Sequence, residues 1–324
     1  MRPAYSCRNQ FVACLFGLLL LPLPAESASP EALPVLLERH VTVLASDIGE
    51  RNHEKYENLQ RAERYIADSL ASYGYDVEYA AFTDPKTNKI FHNIVARAQG
   101  LRTSELLIIG AHYDSAPGSP GADDNASGVA VLLEMARYFS VAKPGITIEF
   151  VAFANEEPPF FKTELMGSAL YAAQKKKDGR PVAGMIALEM VGHYSSEKGS
   201  QDYPATIFKL FYPRRGNFVA FVSNLGSRGL QGKVARSFRK RSRMPLSTFS
   251  APSRTLGIIG FSDHHSFWVR GYKAFMVTDT AFFRNRYYHT QFDGPSTLNY
   301  GAMAEVCQGL CAALEDFCAL RGEE

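Results

Sequence analysis

At 324 residues the chain is long enough for one large α/β domain or two small ones. Its 46% hydrophobic and 21% charged content is ordinary for a globular protein. A formal net charge of +2 excludes a strong overall pull towards nucleic acid or membrane surfaces, and no low-complexity tract or internal repeat interrupts the chain.

The N-terminus separates from the rest. Arg2 and Arg8 precede an apolar run from Phe11 to Leu23, which ends in Ala25-Glu26-Ser27-Ala28-Ser29. A basic start, a short apolar core and small residues at its end predict a secretory signal peptide over 1–28, leaving 29–324 as a single domain. The run is short for a membrane span, so the expected product is exported, periplasmic or secreted, with no stable membrane insertion after cleavage; an uncleaved anchor is the alternative. Cys7 and Cys14 leave with the leader. Cys307, Cys311 and Cys318 remain on one C-terminal segment, an odd cluster that reads as buried thiols rather than a disulfide framework.

Leu33, Leu36, Leu37, Val41 and Leu44 have helical spacing, as do Ala62, Tyr65, Ile66, Ser69 and Leu70. Residues 75–82 and 91–98 read as two strands, a hairpin or antiparallel pair. Apolar strands at 106–111, 146–154 and 182–191 then alternate with helices at 129–139 and 166–177. A late strand at 274–278 and a closing helix at 300–320 complete an α/β pattern. Strands apolar on both faces predict a mixed, mostly parallel central sheet with helices on both faces.

The segment 198–254 differs. It carries Lys198, Lys209, Arg214, Arg215, Arg228, Lys233, Arg236, Arg239, Lys240, Arg241, Arg243 and Arg254 against one acid, Asp202. It reads as a basic insertion, either a solvated surface helix with its loops or a site for phosphate or carboxylate.

In α/β sheets ligands bind beyond the carboxyl ends of the strands. Here those ends read His112-Tyr113-Asp114, then Asn155-Glu156-Glu157, then Glu189, and the loop after the first carries Gly121-Ala122-Asp123-Asp124-Asn125. Carboxylates delivered to one edge repel unless protonated or neutralised, and a metal ion is the economical neutraliser. Adjacent carboxylates also allow one to bind metal while the other handles a proton. Phe160, Phe161, Tyr287 and Tyr288 offer either a pocket for an apolar side chain or ordinary core.

These segments together resemble the co-catalytic zinc aminopeptidases of the leucine aminopeptidase and aminopeptidase Y type, relatives of the glutamate carboxypeptidases and glutaminyl cyclases. The matching stretches are 110–115, 120–128, Asn155-Glu156-Glu157, Ala187-Leu188-Glu189-Met190, 262–267 and Tyr288-His289-Thr290, in the family's order. The resemblance implies a zinc-exopeptidase fold of the phosphorylase/hydrolase-like kind and two zinc ions per chain. It implies Asp124 as the bridging ligand, His112 and Glu189 completing one metal site, and Glu157 and His289 the other. It further implies Glu156 as general base, Asp114 as the carboxylate orienting His112, and a cis peptide between Asp124 and Asn125. Asp263 and His264 fall in a supporting or substrate-contacting stretch. Asp123, His193 and His265 stand outside the metal set. Glu189 departs from the aspartate common in the family, which moves that metal or the backbone by about one methylene. The expected activity is hydrolysis at the N-terminal residue of peptides with a free amine. The alternatives are a single-zinc glutaminyl cyclase, a carboxypeptidase-type member, for which the basic segment would supply cations, and a non-catalytic ectodomain.

Overall fold

A computed structural model describes residues 31–253 and 257–320, besides Met1. The expected leader, apart from Met1, and Arg254 lie outside these. The body from Ala32 onward is built on one eight-stranded sheet. In chain order it contains α1 (Leu33–Thr42), α2 (Tyr56–Ser72), β1 (Glu78–Thr83), β2 (Ile90–Ala98), β3 (Arg102–His112), α3 (Gly128–Val141), β4 (Ile146–Phe153), α4 (Gly167–Asp178) and β5 (Val182–Leu188). Then follow β6 (Val219–Asn224), α5 (Arg228–Arg241), β7 (Leu246–Ala251), α6 (His264–Val269), β8 (Ala274–Thr278) and α7 (Tyr300–Leu320).

The strands lie in the order β1-β2-β4-β3-β5-β8-β6-β7. The run β4-β3-β5-β8 is parallel throughout; β1 and β2 extend it antiparallel on one side. On the other side β6 runs antiparallel to β8 and parallel to β7. Alternation along β3 shows how both faces are filled. Leu107, Ile109 and Ala111 enter the core beneath α1, α2, α3, α5 and α7, whereas Leu106 and Ile108 enter the smaller core beneath α4 and α6. Every residue of β4 is buried, which is why its sequence is a nearly unbroken apolar run rather than an alternating one.

The basic segment behaves differently from its composition. It supplies β6 and β7, two strands that extend the sheet, with α5 between them. The apolar stretch of β6 is short, and Ser- and Thr-rich β7 lacks a strong strand pattern, so cationic α5 dominates any reading of the region. On α5, Leu230, Val234, Ala235 and Phe238 face the core, while Arg228, Lys233, Arg236, Arg239, Lys240 and Arg241 are exposed. Cys307, Cys311 and Cys318 lie buried on α7.

Candidate active site

Consecutive parallel strands bring the polar residues to one edge of the sheet. His112 is the last residue of β3, Glu156 and Glu157 stand just beyond β4, and Glu189 follows β5 immediately. The strands differ in register, yet each leaves its apolar face at the same edge, where the chain turns polar. Three backbones enter the left-handed region there without glycine: Asn155 at φ 59°, Met190 at φ 50° and His289 at φ 56°. Such residues cost of order 1–3 kcal/mol each, and strain of this kind gathers at functional sites.

Five side chains converge. His112 Nε2 is 3.3 Å from Asp124 Oδ1 and 3.3 Å from Glu189 Oε1. His289 Nε2 is 3.1 Å from Asp124 Oδ2 and 3.3 Å from Glu157 Oε2. Asp124 thus faces two imidazoles, one through each oxygen. His112, Asp124 and Glu189 form one group able to hold a metal ion, with potential ligand atoms all within 4.8 Å of one another; Asp124, Glu157 and His289 form a second, and His112, Glu156 and Glu157 a third. Asp124 Oδ1 and Glu157 Oε1 are buried without a hydrogen-bond partner. Buried carboxylate oxygens are rarely left so, and a cation is the partner that such a set of imidazoles and carboxylates fits.

The electrostatics point the same way. Burial pushes Glu156 well above the ordinary carboxylate range, with His112 opposing and Glu189 and Glu157 reinforcing the shift. Glu157 is pushed up to about 7 by burial and the neighbouring Asp124 charge. Glu189 is raised by burial, against the pull of His112. Burial would lift Asp124 too, but its two histidines outweigh it and hold the carboxyl below its usual value. Conversely, Asp124 and Glu157 overcome burial and carry His289 up to about 10. Pairs of titratable groups pushed apart in this way mark a site where protons are handled.

The supporting layer is built mostly from backbone hydrogen bonds. Asp114 lies behind His112, with Oδ1 3.5 Å from Nδ1. Its two carboxylate oxygens accept from the N–H groups of Glu156, at 3.1 Å, and Glu157, at 3.0 Å. One side chain thereby ties the end of β3 to the end of β4. Asp293 performs the same service for the Asp124 loop, accepting from the N–H of Asp123 at 3.0 Å and of Asp124 at 3.1 Å. Asn125 bonds the Leu188 carbonyl and accepts from Gly128 and Met190, which fastens that loop to the end of β5. The Asp124–Asn125 peptide is cis. Gly121 precedes the loop at φ 62°, and a Cβ there would meet the Asp124 carbonyl oxygen at 2.4 Å. Ser262 donates to Glu189 Oε2 at 2.7 Å.

Arg51 and Asp293 have no counterpart in the motifs. Arg51 is wholly buried, and its guanidinium donates to the carbonyls of Tyr113, Leu44, Gly49, Pro120 and Gly121. It clamps the two loops that carry Asp114 and Asp124, and sets a positive charge beneath the carboxylates. Neither Arg51 nor Asp293 stands at a strand end where the sequence pattern draws notice. Asp263 is buried with both carboxylate oxygens unpartnered. Its neighbour His264 instead bonds the Ile259 carbonyl, 2.7 Å away. Asp123 is engaged by Gly192 and Asn285, and His193 lies 3.2 Å from the Thr297 carbonyl, so neither reaches the cluster.

Beside the cluster opens a cavity of about 150 Å³. Of the four aromatics considered for a pocket, only Tyr288 lines it. Phe160 packs into the core against Phe91, Phe161 lies against Phe261, and Tyr287 sits beneath Arg286. The walls come instead from β6, β7, β8 and the stretches 201–212, 258–261 and 280–283, and among the described residues no Lys, Arg or His lines it. The basic segment turns its apolar side to the cavity.

Residues 93–314 match peptidase family M28. The uncharacterized protein YfbL of Escherichia coli (strain K12) is 40% identical over 302 residues, covering 91% of this chain and 90% of that protein. Leucine aminopeptidase 1 of Trichophyton equinum is 30% identical over 263 residues, 76% of this chain and 62% of that protein. Among solved structures, BSAP, a zinc aminopeptidase from Bacillus subtilis, superposes with a TM-score of 0.69 at 17% identity, over 89% of this chain and 96% of that one. That last likeness is one of fold.

Proposed function

The chain belongs to peptidase family M28, and on that premise we propose that it is a zinc-dependent aminopeptidase which releases N-terminal residues from peptides bearing a free amine. The observation that carries the reading is the shared Asp124. One oxygen faces His112, whose ring also faces Glu189, and the other faces His289, whose ring also faces Glu157. We assign His112, Asp124 and Glu189 to one zinc, and Asp124, Glu157 and His289 to a second. Bound zinc supplies Lewis-acid polarisation of the scissile carbonyl and lowers the pKa of water.

The chain's own residues do the rest. Glu156 belongs to a possible ligand group with His112 and Glu157 but is not needed by either Asp124-centred set, and its raised proton affinity suits a general base. It takes a proton from the attacking water and hands one to the departing amine, so the carboxylate is regenerated. Asp114 holds His112 and the Glu156 backbone in one frame. The longer Glu189 side chain, against the family's commoner aspartate, is held by Ser262.

A carboxypeptidase acting on acidic substrates needs cations facing the cleft, and among the described residues the cavity lining offers none. A single-zinc glutaminyl cyclase would leave part of the five-ligand set idle. The N-terminal pattern of 1–28 supports export. Among the described residues no helix is long and apolar enough to cross a membrane.

Metal analysis combined with assays on paired free-amine and N-blocked peptides tests the reading. Two zinc ions per chain and cleavage of the free-amine peptides alone are expected. Cleavage confined to blocked peptides, or one zinc with cyclisation of N-terminal glutamine, overturns it.

A further inference from the structure

We propose that the loop from Tyr203 to Pro213, with the cations beside it, is a docking surface for the headgroup region of an anionic lipid bilayer, on which the chain rests without crossing it. This goes beyond the aminopeptidase reading and does not depend on it.

The loop has two apolar sides with different surroundings. It passes through one short turn, Thr206–Leu210, none of whose residues is buried. Its inner side is held by aromatic packing. Phe208 meets Phe249 of β7 edge to face with centroids 5.6 Å apart, and Tyr212 meets the same ring at 6.2 Å. Tyr203 lies 5.9 Å from Tyr212, and its Oη donates to the Pro213 carbonyl at 2.6 Å, which closes the loop. The outer side carries Ile207, Leu210 and Phe211, which are 56%, 69% and 77% exposed. Spacings of three and four residues set them on one side of the turn. Three large apolar side chains gathered on a loop that packing holds in place form a patch rather than a scatter.

The charge around the patch identifies what covers it. Arg214 and Arg215 follow directly, both exposed. Their guanidiniums bond backbone carbonyls, those of Lys209 and Ser196, rather than carboxylates. Asp202, the single acid of residues 198–254, is paired with Lys209 at 2.9 Å. Further cations come from α5 at β7, the edge strand of the sheet. Loop and helix meet at Thr248: Tyr212 Oη donates to its carbonyl at 3.4 Å, and Arg239 donates to its Oγ1 at 3.4 Å. Arg236 and Lys240 flank Arg239 on the exposed side of α5.

A protein partner and a lipid surface make different demands. A stable protein interface covers roughly 800 Å² on each side, more than three side chains offer. A second copy of this chain would also set these arginines against one another, and like charges so placed oppose association. An interfacial anchor needs only a few apolar side chains reaching about 5–10 Å into the boundary of headgroups and acyl chains, with cations drawn to anionic lipid around them. The whole chain is nearly neutral at +2, so the attraction is local and fades within a Debye length. Phe208 and Tyr212 of the same loop line the cavity beside the polar cluster, so docking holds the cleft close to the bilayer.

The test is co-sedimentation of the full chain with vesicles of phosphatidylcholine alone and of equal parts phosphatidylcholine and phosphatidylglycerol. The wild type should bind the mixed vesicles about tenfold or more tightly than the neutral ones, and about 0.5 M salt should remove that preference. Combined Ile207→Ser, Leu210→Ser and Phe211→Ser should lower affinity for the mixed vesicles about tenfold or more. Combined Arg214→Gln, Arg215→Gln and Arg239→Gln should lower it about fivefold per charge removed, and serves if the first variant fails to fold. Phe211→Trp gives a local readout: its added fluorescence should shift to the blue and be quenched by brominated lipid in the mixed vesicles. The apolar run at 11–23 is common to every variant, so the tryptophan reads the loop alone. Fluorescence at position 211 that brominated lipid leaves unquenched overturns the proposal, as does equal affinity of the wild type and both folded variants. A wild type that dimerises, with the serine variant monomeric and no quenching at position 211, overturns it in favour of self-association.

Discussion

The two walls of the cleft are built by opposite means. One is a set of carboxylates and imidazoles gathered at one edge of the sheet, buried except for the part-exposed His289, and the loops that carry them are tied by backbone N–H groups. The other is a lining of aromatic and aliphatic groups drawn largely from the chain's most basic segment. The charged wall stores unfavourable electrostatics that protonation or a bound cation relieves; the apolar wall is ordinary packing left open on one side. The contrast separates two jobs. Residues of the first wall carry the chemistry proposed for the site, and residues of the second shape the space beside it.

That division can be broken by experiment. The largest effect belongs to Glu156→Gln, which should lower kcat about 10²–10⁴-fold for all substrates while zinc stays bound. Near wild-type turnover, measured alongside metal content, would remove Glu156 from its role. Next comes Arg51→Met. It strips buried carbonyls of their donor and removes the positive charge under the carboxylates, so a loss of about 3–5 kcal/mol in denaturant unfolding is expected. A variant as stable as the wild type would mean that the loops hold without their clamp.

A smaller, pH-dependent effect belongs to His264. Burial holds its imidazole down from 6.5 to about 3. The folded chain keeps it neutral while the unfolded chain takes up a proton below 6.5, so its contribution to stability is intact above that pH and drains away as pH falls towards about 3. His264→Gln should flatten this limb of the stability–pH curve; an unchanged slope would show that other groups govern it. Smallest of all, Lys233→Gln with Arg236→Gln on the exposed face of α5 should leave stability within about 0.5 kcal/mol and turnover unaltered. A marked loss of turnover would mean that the basic side of the segment takes part in substrate binding.

The charged wall was far more legible in the sequence than the apolar one, for a physical reason. His112, Glu156, Glu157 and Glu189 each interrupt the chain just where an apolar strand ends, and a polar residue at such a point is conspicuous. Asp124 sits in a loop of small residues and acids that has few other uses. The cavity residues give no such contrast: Phe208, Phe249, Met276 and Phe282 look like any core residue, and they converge from segments far apart in the chain. Strands β6 and β7 were masked by the cations of α5, which dominate the composition without touching the core. Arg51 was hidden differently. Its partners are backbone carbonyls, and a carbonyl carries no residue identity for a pattern to detect.

The fork that Asp293 makes onto the amides of Asp123 and Asp124 couples two loops far apart in sequence, one carrying Asp124 and the other His289. Those amide protons can exchange with solvent only when the two loops part. Their exchange rates therefore serve as an internal gauge of whether the His289 side of the cluster is assembled, readable without substrate and without any label on the protein.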